Sequence, residues 1–174
     1  MRKKGFLIKS NENPSCPNCG GKLVNKDWVE RGKKKAGGHH MIRLIERRVC
    51  KECGESHRLL PDDQIPNKHY SAEVIEKVID DDYELSEEEE LEYEDYPCEA
   101  TMGRWKKWAE QLILNAEGQI RSAAHRVLDL SYEFLGSTES LLKGIKKFAV
   151  HGWLPFVIKI MMDTGGAGTI PDPP

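Results

Sequence analysis

Two kinds of hydrophobic periodicity divide the chain. From Lys22 to Glu30 and from Met41 to Val49, Val, Ile, Leu and Trp recur in short runs on either side of the turn-forming "GKKKAGGHH", which predicts a β-hairpin. On the second strand a period of two puts Arg43 and Arg47 on the face of Met41, Ile45 and Val49, with Arg48 on the opposite face. "HRLLPD", starting at His57, reads as a short third strand, and "LLPDDQIPNKHY" (59–70) as a linker packed back on the strands.

After Ser71 the period lengthens to that of a helix. Ser71 is placed to cap "SAEVIEKVIDDD", whose Val74, Ile75, Val78 and Ile79 share one face. Ser86 and Glu89 form a capping box for a short acidic helix that ends at "DYP". A third helix opens near "CEATMGRWKKWAEQLIL", with Met102, Trp105, Ala109, Leu112 and Ile113 at helical spacing. After Asn115 helical patterns resume, first with Ile120, Ala124, Val127, Leu128, Ser131 and Leu135. Leu141, Leu142, Ile145, Phe148 and Ala149 follow, closed by Gly152, and then the short apolar piece Trp153 to Met162. The expected fold class is α+β in several small modules: a strand-rich module over 1–66, a helical module over 67–115, a helical bundle over 116–163 and a flexible tail over 164–174.

Composition narrows the class. At 174 residues with 39% hydrophobic and 32% charged positions, the chain suits small modules better than one large core. "MRKKGFLI" is far short of a secretory leader and no apolar run approaches a membrane span, so a reducing cytoplasm is the expected location. The net charge of −3 hides a segregation. Residues 1–60 hold 15 Lys and Arg against 6 Asp and Glu, whereas residues 61–99 hold 2 against 16. A basic head is the usual footprint of a polyanion partner. The acidic run over 80–95 reads as a solvated surface, or as a charged surface that pairs with the basic module and repels stray phosphate.

The chemistry sits in paired cysteines. "CPNCGG" (Cys16, Cys19) and "CKECGE" (Cys50, Cys53) are each Cys-x-x-Cys-Gly, a spacing that forms a tight knuckle whose glycine takes the positive φ the turn requires. Two knuckles held apart by a hairpin supply four sulfurs in a tetrahedral array, the arrangement of a closed structural Zn²⁺ site. Iron would use the same ligands. A redox dithiol is the weaker alternative, because neither pair opens a helical pattern. With four thiolates filling the site, His57 reads as a strand residue and not as a ligand or base.

Two groups of residues are candidates for phosphate contact. Lys33, Lys34 and Lys35 lie at the predicted hairpin tip, with Arg43, Arg47 and Arg48 along the second strand. Thr101, Gly103, Arg104, Lys106 and Lys107 open the third helix, while Trp105 and Trp108 anchor it. Three short helices of which the third is basic and aromatic match a helix-turn-helix unit, whose third helix meets bases near its N-terminus.

Taken together, "CPNCGG", "RRVCKECGESHRLLPD", "P..HY" and "T..RWKKW" resemble small bacterial zinc-ribbon proteins associated with mobile elements, with a ribbon similar to that heading certain insertion-sequence transposases. The resemblance covers roughly residues 13–108. It implies duplex-DNA binding in transposition or a related regulatory setting, with Cys16, Cys19, Cys50 and Cys53 as zinc ligands and the helix around Thr101 to Lys107 as the recognition helix. The acidic insert "DDDYELSEEEELEYED" departs from a simple DNA-binding pattern.

No carboxylate triad on a mixed αβ domain, phosphate loop, Ser-His-Asp set or His-x-x-x-His helix is present, so the sequence predicts a binding protein without a small-molecule substrate. The alternative to DNA binding is an adaptor in which zinc only holds the fold. Acidic and apolar helical surfaces would then bind a partner protein, or a second copy through the C-terminal helices.

Overall fold

The computed structural model describes residues 6–36, 40–84, 97–127, 141–149 and 152–164. Among these the chain is mixed α+β, with a four-stranded sheet and four helices. The described residues fall into two compact units, one holding the chain up to Ser71 and the other Ala72–Tyr83 with the chain from Pro97. The acidic helix expected from Ser86, Leu128, Ser131 and Leu135 of the C-terminal pattern, and the tail from 165 lie outside the described residues.

The first unit is built on strands β1 (Phe6–Ile8), β2 (Leu23–Lys34), β3 (His40–Cys50) and β4 (Ser56–Arg58). β2 and β3 form the expected antiparallel hairpin. β1, parallel, and β4, antiparallel, share the other edge of β3 at its two ends. The hairpin is longer than the hydrophobic runs predict, because Lys33 and Lys34 continue β2 opposite Met41 and His40. What extends it is outside the hairpin. The segment after β4 folds back as expected, bridges Lys34 to Tyr70, and exchanges backbone hydrogen bonds from Lys34 to His69 and from Ser71 to Lys34. A register shift between Asn25 and Asp27 leaves Lys26 as a bulge. Among the described residues the apolar core of this unit is small: Cys16, Leu23, Ile45, Cys50 and Ile65.

The second unit contains α1 (Ala72–Ile79), α2 (Glu99–Val127), α3 (Leu141–Phe148) and α4 (Trp153–Asp163). α2 runs through Asn115, where the sequence pattern suggests a break. Ala116 and Ile120 continue the buried stripe of Trp105, Trp108, Ala109 and Leu112, so one 29-residue helix serves where two are expected. Val74, Ile75 and Val78 bury the α1 face as predicted. On α4, Trp153, Leu154, Val157, Ile158, Ile160 and Met161 are all buried, so the apolar C-terminal piece is core, and Met162 is its exposed exception. Glu76 of α1 accepts the Trp153 amide at 2.7 Å and Asp80 accepts the Trp153 indole N–H at 3.1 Å, tying α1 to the start of α4. No helix among the described residues is long and apolar enough to cross a membrane.

Candidate metal centre

Each cysteine pair folds into the same knuckle. In the first, the Cys16 amide donates to Gly21 O at 2.9 Å and the Gly20 amide to Cys16 O at 2.8 Å. In the second, the Cys50 amide donates to Glu55 O at 2.8 Å and the Gly54 amide to Cys50 O at 3.1 Å. Gly20 and Gly54 both take positive φ, 74° and 76°, as the spacing predicts. The two knuckles are local copies, brought face to face by the antiparallel pairing of Leu23 with Cys50.

The result is a compact set of four sulfurs, all within 4.8 Å of one another. Cys16 and Cys53 Sγ lie 3.6 Å apart, and Cys19 and Cys50 Sγ 3.5 Å apart. A tetrahedral ion with Zn–S bonds of about 2.3 Å requires sulfur separations of about 3.8 Å, so the donor set fits a single structural ion after a small adjustment. The thiols differ in their surroundings. Burial acts to raise the Cys16 thiol, but the Cys19 and Asn18 amides and the Cys53 and Cys19 thiols outweigh it and bring it down to about 6. At Cys50 the Cys53 amide pulls downward, but burial, the Glu52 carboxylate and the Cys19 thiol prevail and push it up to about 12.

Gly21 explains the second glycine of "CPNCGG". A Cβ there would stand 2.9 Å from Cys50 Sγ and would collide with the Glu52 carboxylate. Glu52 can swing into solvent, whereas a metal-bound sulfur cannot retreat. Gly21→Ala is therefore expected to weaken metal binding by roughly tenfold, a cost of about 1.4 kcal/mol, measured by competition with a chromophoric chelator. An unchanged affinity would mean that the knuckle relaxes freely.

His57 occupies β4 opposite Arg48, the strand position predicted for it, and its Nε2 lies 3.3 Å from Cys16 Sγ. The sequence does not predict this contact, and the histidine's place four residues past Cys53 is the one local signal that points toward it.

The basic residues of the first unit are largely engaged inside it. Lys33 is buried and pairs with Asp63, which also takes a two-pronged contact from Arg43 at 2.6 and 2.9 Å. Burial tends to raise the Asp63 carboxyl, but Arg43 and Lys33 outweigh it and hold it below the usual carboxylate range. Arg48, 6% exposed, chelates the Glu46 carboxylate at 3.0 and 3.2 Å and donates to Glu12 O at 3.1 Å. Arg47 pairs with Asp27 at the surface, the Arg47 Nε reaching Oδ1 at 2.7 Å. Lys34 stacks over Tyr70 at 5.5 Å, and Lys35, at the end of the hairpin, is exposed. The register confirms that Arg43 and Arg47 share one face of β3 and that Arg48 points from the other.

In the second unit, Trp105 and Trp108 are buried while Gly103, Arg104 and Lys107 are exposed. Arg104 folds back on its own first turn, donating to Ala100 O at 3.2 Å and to Thr101 Oγ1 at 3.0 Å. Lys106 pairs with Asp81. In the sequence these cations group by sign and position along their elements, and that grouping does not reveal the carboxylates Asp63, Glu46 and Asp81 that hold some of them.

A family model described as a domain of unknown function (DUF6431) matches residues 16–105, which spans both knuckles, strands β2 to β4, α1 and the start of α2. No curated protein and no solved structure matches the chain.

Proposed function

Since the chain belongs to the DUF6431 domain family, whose description carries no activity, we propose from its chemistry that it is a non-enzymatic, zinc-dependent binding protein for duplex DNA. The observation that carries this reading is the division of α2 at its start, with Trp105 and Trp108 buried, Arg104 exposed at the flank of that stripe and Lys107 exposed away from it. Anchored aromatics beneath exposed cations are the make-up of a recognition helix, with α1 as its packing partner in a helix-turn-helix-like unit. The zinc ion stiffens the ribbon and takes no part in chemistry, because four thiolates leave no open position for a substrate. Lys35 at the hairpin end and the Lys34 beside it add phosphate contacts, whereas Lys33, Arg43 and Arg48 serve the ribbon's own stability. The motif resemblance to mobile-element zinc-ribbon proteins suggests transposition or its regulation as the setting.

The test is binding of zinc-loaded protein to duplex DNA across a salt series. Affinity should fall with a log–log slope of about −0.9 per phosphate contacted. Arg104→Ala with Lys107→Ala should lower affinity by roughly tenfold or more and erase preference among sequences, since a good base contact is worth about 1–3 kcal/mol. Lys35→Ala should weaken all sequences alike. Absence of a DNA shift at low salt would remove the reading.

One observation favours a second reading. Asp63, Glu46, Asp27 and Asp81 already pair with Lys33, Arg43, Arg48, Arg47 and Lys106. With so many cations held internally, a protein-interaction adaptor with a purely structural zinc is the alternative, and it predicts no salt-dependent DNA binding.

A further inference from the structure

We propose that His57 is an outer donor to the metal centre: its Nε2–H hydrogen-bonds the Cys16 thiolate and so sets how tightly the four sulfurs hold their ion. The inference rests on reading the cysteines as a metal site and is independent of DNA binding. Its starting point is placement. β4 is pinned antiparallel to β3, with His57 opposite Arg48, and the Leu59 amide, just past β4, donates to Glu46 O at 2.9 Å. Backbone pairing therefore brings the ring to Cys16, where Nε2 stands 3.3 Å from Sγ. Cys16 is held by the first knuckle, which the Ser15–Lys22 bridge closes just before β2, and both β2 and β4 pair with β3.

The direction of the bond follows from the chemistry of the ligand. A metal-bound cysteine has lost its proton, so its sulfur can only accept, and the contact requires the proton on the imidazole Nε2. The four sulfurs already form the closed set, so the ring stands outside it. Four thiolates around a divalent ion carry excess negative charge, and an N–H aimed at one sulfur disperses part of it. The need is greater here than the ligands alone create. At another sulfur of the cluster the Glu52 carboxylate lies 3.2 Å from Cys50 Sγ, and once Cys50 is a thiolate that contact sets two negative groups together. Among the described residues, His57 is the side chain that brings an N–H to a sulfur. It is a positioning residue for the metal, neither ligand nor base.

Outer partners of metal ligands typically carry about 10–100-fold in metal affinity. The experiment uses the full chain as wild type, His57→Phe and His57→Gln, with zinc affinity measured by competition against a chromophoric chelator. His57→Phe should bind zinc about 10–100-fold more weakly, and His57→Gln, which keeps an N–H donor, should recover most of the loss. With cobalt in place of zinc, all three should retain a four-thiolate spectrum, and in His57→Phe the sulfur-to-metal charge-transfer band should move to lower energy. Should His57→Phe fail to fold, ¹⁵N shifts of the wild-type imidazole in the zinc-loaded chain decide the matter. A proton on Nε2 supports the bond, and a bare Nε2 overturns it. Wild-type affinity in His57→Phe, or a cobalt spectrum showing nitrogen in place of one sulfur, also overturns it. A wild-type chain that binds neither ion defeats the metal centre itself, an outcome distinct from failure of the histidine's role alone.

Discussion

Stripping the metal is expected to unfold the sheet unit while the helical unit keeps its structure. Among the described residues, the sheet unit buries five apolar side chains, Cys16, Leu23, Ile45, Cys50 and Ile65, and two of these are themselves candidate ligands. Burying a large apolar side chain contributes about 1.5–3 kcal/mol, so Leu23, Ile45 and Ile65 together supply less than a structural zinc, worth about 10–16 kcal/mol in small zinc-folded peptides. The helical unit is expected to stand without metal, since among the described residues Trp105, Trp108, Leu112, Trp153, Leu154 and Met161 are all in its core. The expected readout is loss of hydrogen-exchange protection across β2 and β3 on chelation, with protection in α2 and α4 retained. Cys50→Ser should reproduce this without chelator. Protection of β2 and β3 that survives in a metal-free chain would show that the ribbon holds itself together.

The second large effect is expected at Glu46. Glu46 is 1% exposed, and its carboxylate is met by both forks of Arg48, itself 6% exposed. Removing one member of such a pair leaves the other charge buried and alone, which costs about 3–5 kcal/mol. Glu46→Ala should therefore destabilise the sheet unit by that amount. Glu46→Leu combined with Arg48→Met should recover most of it, since an apolar pair of similar size is often neutral. The pH dependence has a definite sign. The Arg48 hydrogen bond holds the Glu46 carboxyl below its ordinary value. The pair's contribution is thus complete above the unfolded value of about 4.3 and is lost as pH falls through the lower folded value. Urea unfolding of metal-loaded wild type and Glu46→Gln at neutral and acid pH measures this. Equal losses in both proteins on acidification would refute the assignment.

These two sites also show what the sequence could and could not reveal. The cysteine cluster was readable because its spacing is local: each knuckle needs only six consecutive residues, and the hairpin between them follows from alternation. The α1 face and both tryptophans of α2 were readable for the same reason. The Glu46–Arg48 pair was also within reach, since a strand puts positions two apart on one face, but an arginine in a basic module invites a phosphate as its partner. Asp63 was not within reach. It lies twenty residues past Arg43 in a proline-bounded linker, and nothing in its neighbours tells which cations it will meet. The continuity of α2 through Asn115 is not legible, because a weak helix former looks like a stop in the sequence, whereas the packing of Ala116 and Ile120 overrides that local preference. The strand position of His57 follows from its local pattern, but its contact with Cys16 sulfur depends on register across the sheet.

The bulge at Lys26 has a further consequence for solubility. β2 is an outer strand, and exposed outer strands are where sheets from different molecules join into aggregates. Near its C-terminal end β2 is already covered, through the bridge from Lys34 to Tyr70 and the Gln64 amide on Gly32 O. Just before its N-terminal end, the bridge between Ser15 and Lys22 covers the chain entering it. The stretch between carries Lys26, Asp27 and Glu30, and the bulge interrupts the regular spacing that another strand would need as a template. The ribbon can therefore keep a long two-stranded hairpin in solution without recruiting a neighbour to its open side.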